Sequence, residues 1–444
     1  MYSYSLFCRL MGFLYLLLGV SCYADTSVQK SASLPVSALH IDHPEYLLHV
    51  RQGLQLLGKK EITRVRITQI GDSHTAGDYW THAFRKKLQN HYGSAGLGFV
   101  YPLQPHYARS AQLSYAPAKN SYMVQELLHQ KTHHQYHESY GLFGVLLKPA
   151  KYKKQMTVDY QFKSDIALHA PMRIQVLTSP STEFSMQVQS HNMEPQSQIN
   201  TAHLKTHVFN LEQILDGFSI RVPAQKQALF YGLSIDYPQS PGVIVDNIGL
   251  NGTQVKHLLM LDNSIIEEEF KQLKSDLIIL AFGTNESFES SFDPVLYERE
   301  LRQVIARIKQ YNPQADILLI APPDAHALSK TCRKQLKIIK KTKHLVGREL
   351  MTYFDCQPSF LELDTESACH WSPPAALAQV RAIQKYVSDT AHVAFFEWPE
   401  YIQAPCAMMS WMLQDKPLAA YDHVHLTTAG YEILADVLYQ ALLN

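Results

Sequence analysis

The sequence predicts an α/β protein: a doubly wound parallel sheet of the flavodoxin-like three-layer kind, with an all-β sandwich inserted into it. Three observations carry this. Short continuous apolar runs at 277–282 and 317–320 alternate with segments of helical period, the signature of a parallel sheet covered on both faces. Between about 105 and 240 the period changes to two, with turn residues between the runs. The apolar strands also end in short polar blocks, as expected where an open α/β sheet binds its ligand.

The first residues read as an export signal. Arg9 precedes an apolar run at 11–20 that is short for a bilayer span, and Cys22-Tyr23-Ala24 offers a cleavage site after Ala24. The sequence Val20-Ser21-Cys22 also resembles a lipoprotein box, although Gly19 stands where Leu is usual. Domains are accordingly expected as 1–24, a signal peptide; 25–104, the first part of the α/β domain; 105–240, the inserted sandwich; and 241–444, the second part.

A polar stretch at 25–42 leads to a helix near 45–58. Residues 64–70 alternate as a strand. Trp80, Phe84 and Leu88 place an amphipathic helix after it, and Gly93, Gly96 and Gly98 are expected to break the chain. Within the insertion, 156–162, 172–177, 184–188 and 218–222 alternate, and 228–235 is apolar at strand length. Strand and helix then alternate: strands at 243–245, 277–282, 317–320 and 392–396, helices at 265–273, 294–311, 375–389 and 428–443.

Composition narrows the function. The 444 residues are 46% hydrophobic, and 40 basic residues balance 40 acidic ones. A net charge of zero gives no footprint for nucleic acid, and a neutral partner such as a glycan fits better. No second run is long enough for a membrane span, and oligomeric state is left open. Removing the signal leaves Cys332, Cys356, Cys369 and Cys406, whose spacing matches no zinc motif. One or two disulfides, with Cys356 and Cys369 the nearest pair, stand beside buried free thiols as readings. The cluster His129, His133, His134 and His137 reads as an exposed polar loop more readily than as a metal site, and no metal or cofactor is expected.

The chemistry lies in four blocks. Gly71-Asp72-Ser73-His74 ends the first strand, 247–252 (NIGLNG) the second and Gly283-Thr284-Asn285-Glu286 the third. Asp422-His423-Val424-His425 precedes the last helix. Acyl transfer needs these parts. Ser73 is a weak nucleophile until a base takes its proton. His425 can take it, and Asp422, three residues earlier, can orient the ring and stabilise its protonated form. The N–H groups of Ser73 and Gly252 and the side-chain amide of Asn285 would hold the oxyanion. His74 reads as a supporting or core residue, Glu286 as a partner within its loop, and His423 as facing away from Ser73.

The order of Ser73, Gly252, Asn285 and His425 resembles that of the SGNH (GDSL-like) hydrolases, with Asp422 completing the triad. The segments GDSHTAGDYWTHAFRKKL, GSAGLGFVYP, PGVIVDNIGLNGTQV, LIILAFGTNE, LLIAPPD and DHVHLTTAGY resemble the peptidoglycan O-acetylesterases of Gram-negative bacteria. That resemblance implies a carbohydrate-binding-module-like insertion and removal of O-acetyl groups from muramoyl residues in the periplasm. Two features depart from the pattern. The stretch 323–373 is long and holds three of the four remaining cysteines, which reads as a lid or a decorated loop. Ala404-Pro405-Cys406 lacks the glycines expected there. Other readings of the same residues are an O-acetyltransferase with a sugar hydroxyl as acceptor, a lipase-like esterase, and an inactive glycan-binding protein.

Overall fold

The computed structural model describes residues 41–106, 108–128, 139–150, 153–183, 185–188, 191–223, 227–357 and 369–444. The export signal, the start of the linker and the His129–His137 cluster lie outside the described residues.

The central sheet has six strands in the order Ile41–Asp42, Ala394–Phe396, Asp316–Ile320, Leu277–Ala281, Arg64–Gly71 and Gly242–Gly249. All neighbours are parallel except Ile41–Asp42, which runs antiparallel to Ala394–Phe396. The five parallel strands therefore follow the order 2-1-3-4-5, with the direction of winding reversing beside Arg64–Gly71. Leu277–Ala281 and Gly242–Gly249 are buried at every residue, because helices cover both faces. Helix Trp80–Tyr92 packs with the last helix, Thr428–Leu443, and helix Pro294–Tyr311 packs with Leu377–Ala391. Leu301, Val304 and Ile305 from one and Val380 and Val387 from the other meet Ile278 and Leu280 of the sheet.

The insertion is built from two antiparallel sheets. One has the order His191–Met193, Ser185–Val188, Gly217–Pro223, Gln155–Phe162 and Leu113–Pro117. The other runs Ser197–Asn200, Lys205–Leu211, Met172–Thr178, Phe230–Asp236, Val145–Pro149 and Tyr122–Glu126. Alternate residues bury Met156, Val158, Tyr160, Phe218, Ile220, Ile174 and Leu233 in one core, which is how period-two sequence makes a sandwich.

Two expectations need correction. The glycines at 96 and 98 do not break the chain, since they lie in the strand Gly96–Val100, which pairs with Phe230–Asp236. They are glycines because φ is +150° and +78°, and a Cβ would sit 2.5 Å from the Ile235 carbonyl oxygen and 2.3 Å from Asp246 Oδ1. The stretch 323–373 is not simply a loop. It contains helices Lys330–Lys343 and Gly347–Met351; Cys332–Cys369 ties the first of them to the end of the stretch, while Cys356–Cys406 joins the stretch to the segment after the last strand. The sequence neighbours Cys356 and Cys369 therefore do not pair with each other.

A buried ion pair joins two neighbouring strands of the central sheet. Arg66 reaches Asp246 through Nε and Nη2, both at 2.8 Å. Asp246 also accepts from Thr68 Oγ1 at 2.7 Å and from the Phe99 N–H at 2.7 Å. Such fork geometry gives a buried carboxylate a bidentate, charged hydrogen-bond partner.

Candidate active site

The first three polar blocks converge because three strands end abreast: Gly71 is in register with Gly249 on one side and with Ala281 on the other. The turn at Gly71 is tight, and a Cβ there would meet Thr75 Oγ1 at 2.2 Å and the Ala281 carbonyl oxygen at 2.7 Å. The chain turns at once into the short helix Ser73–Ala76, where Asp72 accepts from the His74 N–H at 3.0 Å as its cap. Burial pushes the Asp72 carboxyl up to about 6 against its hydrogen bonds and the nearby His425.

Ser73 opens that helix, so its N–H belongs to the first turn, where no intrahelical acceptor exists. Its Oγ lies 2.8 Å from His425 Nε2. The other ring nitrogen, Nδ1, lies 2.7 Å from Asp422 Oδ2. Asp422 Oδ1 accepts from the N–H groups of Val424 at 3.0 Å and His425 at 2.8 Å. Asp422, Val424 and His425 sit at the tip of a hairpin closed by Ala419 and Leu426, just before Thr427 caps the last helix. Burial opposes charge on the His425 ring, but its hydrogen bond to Asp422 and the charges of Asp422 and Asp72 outweigh that and raise its pKa. Burial likewise resists ionisation of Asp422, yet the bonds from the His425 ring and backbone hold it well below the usual carboxylate range.

The second and third blocks follow the strands on either side of the one that ends before Ser73. Gly252 has φ +76°, and a Cβ on it would meet nothing within 4 Å, so its α-carbon borders open space. Asn285, on the short helix Thr284–Ser287, donates from Nδ2 to the Thr253 carbonyl at 2.8 Å. An amide has two N–H bonds, so one remains for a ligand. Glu286 joins the blocks: Oε1 accepts from the Val255 N–H at 2.8 Å and Oε2 from the Gly283 N–H at 3.1 Å. Burial moves its carboxyl up to about 7 against these bonds.

His74 is buried behind the pair. Its Nδ1 lies 2.9 Å from the Tyr431 hydroxyl, its ring centroid is 5.2 Å from that of His425, and burial pulls its pKa down to about 3. His423 turns inward, stacked on Trp371 with centroids 3.6 Å apart. Sequence reasoning missed Tyr101, whose hydroxyl donates to the Gly249 carbonyl at 2.6 Å and accepts from the Gly249 N–H at 2.7 Å. Nothing local to Tyr101 signals a partner 148 residues away. The Tyr431 contact was hidden for the same reason.

A 2-1-3-4-5 parallel sheet with a serine at the end of its first strand, beside an imidazole and a carboxylate from a hairpin, has the SGNH hydrolase fold. Residues 232–433 match the GDSL-like Lipase/Acylhydrolase family, a span that includes Gly252, Asn285, Asp422 and His425 and leaves Ser73 before it. Among solved structures, the chain superposes on one described as "Peptidoglycan O-acetylesterase in action" with a TM-score of 0.64 and 22% identity, covering 89% of this chain and 95% of that one. The shared fold thus extends beyond the central sheet into the insertion. A putative GDSL-like lipase from Parabacteroides merdae gives a TM-score of 0.28 at 14% identity, over 46% of this chain and 74% of that one. A family two carbohydrate esterase from Clostridium thermocellum gives 0.26 at 12%, over 64% and 91%. No curated protein matches the sequence.

Proposed function

We propose that this chain is a serine esterase that removes O-acetyl groups from a cell-wall glycan, with peptidoglycan as the substrate. The observation that carries this reading is the relay from Ser73 Oγ through His425 to Asp422, with contacts of 2.8 Å and 2.7 Å, at the edge where the strands end. In the resting state Asp422 holds the proton on Nδ1, so Nε2 accepts from the Ser73 hydroxyl. Attack of Oγ on the acetyl carbonyl moves that proton to Nε2. The developing oxyanion is held by the N–H groups of Ser73 and Gly252 and by the unused N–H of Asn285. The imidazolium then protonates the departing sugar alkoxide, leaving an acetyl-enzyme. Water, deprotonated by the same ring, releases acetate and restores Ser73.

The glycan is supported by the resemblance of all four blocks to peptidoglycan O-acetylesterases and by the fold shared with the structure described by that activity. The region 105–240 would hold the sugar chain near the serine. Two disulfides, Cys332–Cys369 and Cys356–Cys406, favour work in an oxidising, extracytoplasmic compartment, in keeping with an export signal at 1–24. Among the described residues no helix is long and apolar enough to cross a membrane.

The test is acetate release from O-acetylated peptidoglycan by wild type and by Ser73→Ala. Wild type should release acetate, and the variant should be slower by about a thousandfold or more. Acetate release that survives in Ser73→Ala would refute the nucleophile. A wild type that cleaves small acetyl esters but not the glycan would refute the substrate.

A further inference from the structure

Beside the relay lies a cavity of about 350 Å³ that the esterase mechanism does not use. It runs from Asp422 and Val424 of the relay hairpin, past Phe288, to the helix Lys330–Lys343. It begins one imidazole away from Ser73, because Asp422 itself forms part of its wall. Phe288 follows Asn285 by three residues and is 41% exposed. The cavity therefore touches the block that bears the relay carboxylate and the residue that ends the short helix bearing the proposed oxyanion amide.

Its two sides differ in chemistry. The floor is apolar: Leu336, Met351 and Trp371 belong to, or pack on, a small separate core. The rim is cationic. Arg333, Lys337 and Lys340 lie at helical spacing on one face of a helix that carries no acidic residue, and all three line the cavity. Leu336 points into the small core between them and fixes which face the helix presents. The Arg333 Nε donates to the Leu328 carbonyl at 3.1 Å, and Cys332–Cys369 anchors the same turn. Since the whole chain has no net charge, this positive rim is a local feature.

We propose that this groove is a subsite for the acidic peptide attached to the glycan, so that the enzyme reads the peptide stem as well as the ester. The inference rests on the esterase reading above. A neutral sugar has no use for three cations, whereas a short peptide with free carboxylates and small aliphatic side chains matches both rim and floor. Cations three and four residues apart on a helix stand about 5–6 Å from one another, a spacing that suits carboxylates along an extended peptide. Binding energy taken from this remote part of the substrate would raise kcat/KM on stem-bearing glycan without touching the reacting atoms.

The experiment has two arms on the full chain. In the first, a soluble acidic stem peptide and its fully amidated counterpart are titrated into Ser73→Ala and into Ser73→Ala carrying Lys337→Glu and Lys340→Glu. The acidic peptide should bind Ser73→Ala, and the amidated peptide and the charge-reversed protein should bind about tenfold more weakly or not at all. In the second, kcat/KM is compared on O-acetylated glycan with stems intact and with stems removed by an amidase. Wild type should favour the intact substrate by about tenfold, and Lys337→Glu/Lys340→Glu should lose that preference while hydrolysing a small acetyl ester at the wild-type rate. Equal binding of acidic and amidated peptide would overturn the subsite, as would equal rates on the two glycans or a parallel loss on the small ester. Binding of anionic lipid vesicles by the Lys337 and Lys340 face, with no peptide binding, would overturn it in favour of a membrane contact. If the peptide binds as stated but no acetate leaves either glycan, the subsite stands and the peptidoglycan esterase reading falls.

Discussion

Gly252→Ala separates a catalytic glycine from a structural one. The residue has φ +76°, where a side chain costs about 1–2 kcal/mol of backbone energy. No heavy atom lies within 4 Å of the added Cβ, so no packing clash adds to that cost. For a chain of this size the expected fall in Tm is only a few degrees, about 2–4 °C. The rate should suffer far more. The methyl group projects into the open space where the acetyl ester is proposed to sit, and any relaxation of φ turns the amide away from the oxyanion. Loss of one such donor lowers kcat by about 10²–10³. The assay is initial rate on a small acetyl ester, which does not depend on the glycan groove, together with a thermal melt. Gly71→Ala is the contrasting control, since its Cβ would meet Thr75 Oγ1 at 2.2 Å and backbone at 2.7 Å, and it should fail by unfolding. A Gly252→Ala enzyme that keeps kcat within twofold while melting slightly lower would show that this glycine only turns the chain.

The pH dependence follows from His425. Its pKa is raised above the ordinary 6.5, and the neutral ring is the proposed base, so kcat/KM should rise with pH along a limb centred above 6.5. In Asp422→Asn the carboxylate bond and charge of residue 422, which raise the ring most, are gone, while burial and the smaller effect of Asp72 remain, so the limb should move to lower pH and the plateau drop by about 10²–10⁴; an unmoved limb would mean another group sets it. Asp246→Ala should destabilise the protein by about 3–5 kcal/mol in urea unfolding, since it leaves the Arg66 guanidinium buried without its bidentate partner. A loss under 1 kcal/mol would show that Asp236, 3.9 Å from Arg66, takes over the role. Replacing Cys356 and Cys406 by serine should cost about 2–4 kcal/mol in the same assay and lower kcat below the melting transition, because that bridge lies beside the groups that hold the relay hairpin. Unchanged kcat would make the bridge purely structural.

The parts of the fold legible in the sequence were those whose burial is complete or strictly periodic. Leu277–Ala281 is buried on both faces and so reads as an unbroken apolar run. Gln155–Phe162 and Gly217–Pro223 bury alternate residues and so read as strands. Ser197–Asn200 was not legible: it is exposed at every residue, and only its pairing with Lys205–Leu211 makes it a strand. Helix Lys330–Lys343 escaped because Leu336 is its buried residue among many cations. The disulfides escaped because proximity along the chain favours Cys356 with Cys369, whereas the true partners are separated by 37 and 50 residues and meet only through intervening helices. The four polar blocks stood out by residue type and by their place after apolar strands or before the last helix, and the structure brings Ser73, His425 and Asp422 within hydrogen-bonding distance. What supports them was not legible, since Tyr101 and Tyr431 act through contacts that no local pattern encodes.

The relay hairpin gains its direction from a residue that does not react. Between Asp422 and His425 stands His423, fully buried, with φ +63°. Its ring lies flat on Trp371, its Nε2 is 2.9 Å from the Met351 carbonyl and its Nδ1 is 3.3 Å from His326. His326 in turn contacts Asp324 at 3.0 Å, and its N–H donates to the His423 carbonyl at 2.8 Å. Burial, with the charge of His326 adding to it, pulls the His423 pKa down to about 4, so this ring stays neutral under conditions that protonate His425. With residue 423 driven inward, its neighbours 422 and 425 are turned outward toward Ser73. Trp371, Met351 and His326 all come from the long 323–373 stretch. That stretch therefore does two things at once: its inner face sets the hand of the hairpin, and its outer helix walls the cationic groove. Trp371 and Met351 belong to both, since each contacts the His423 ring and each lines that groove.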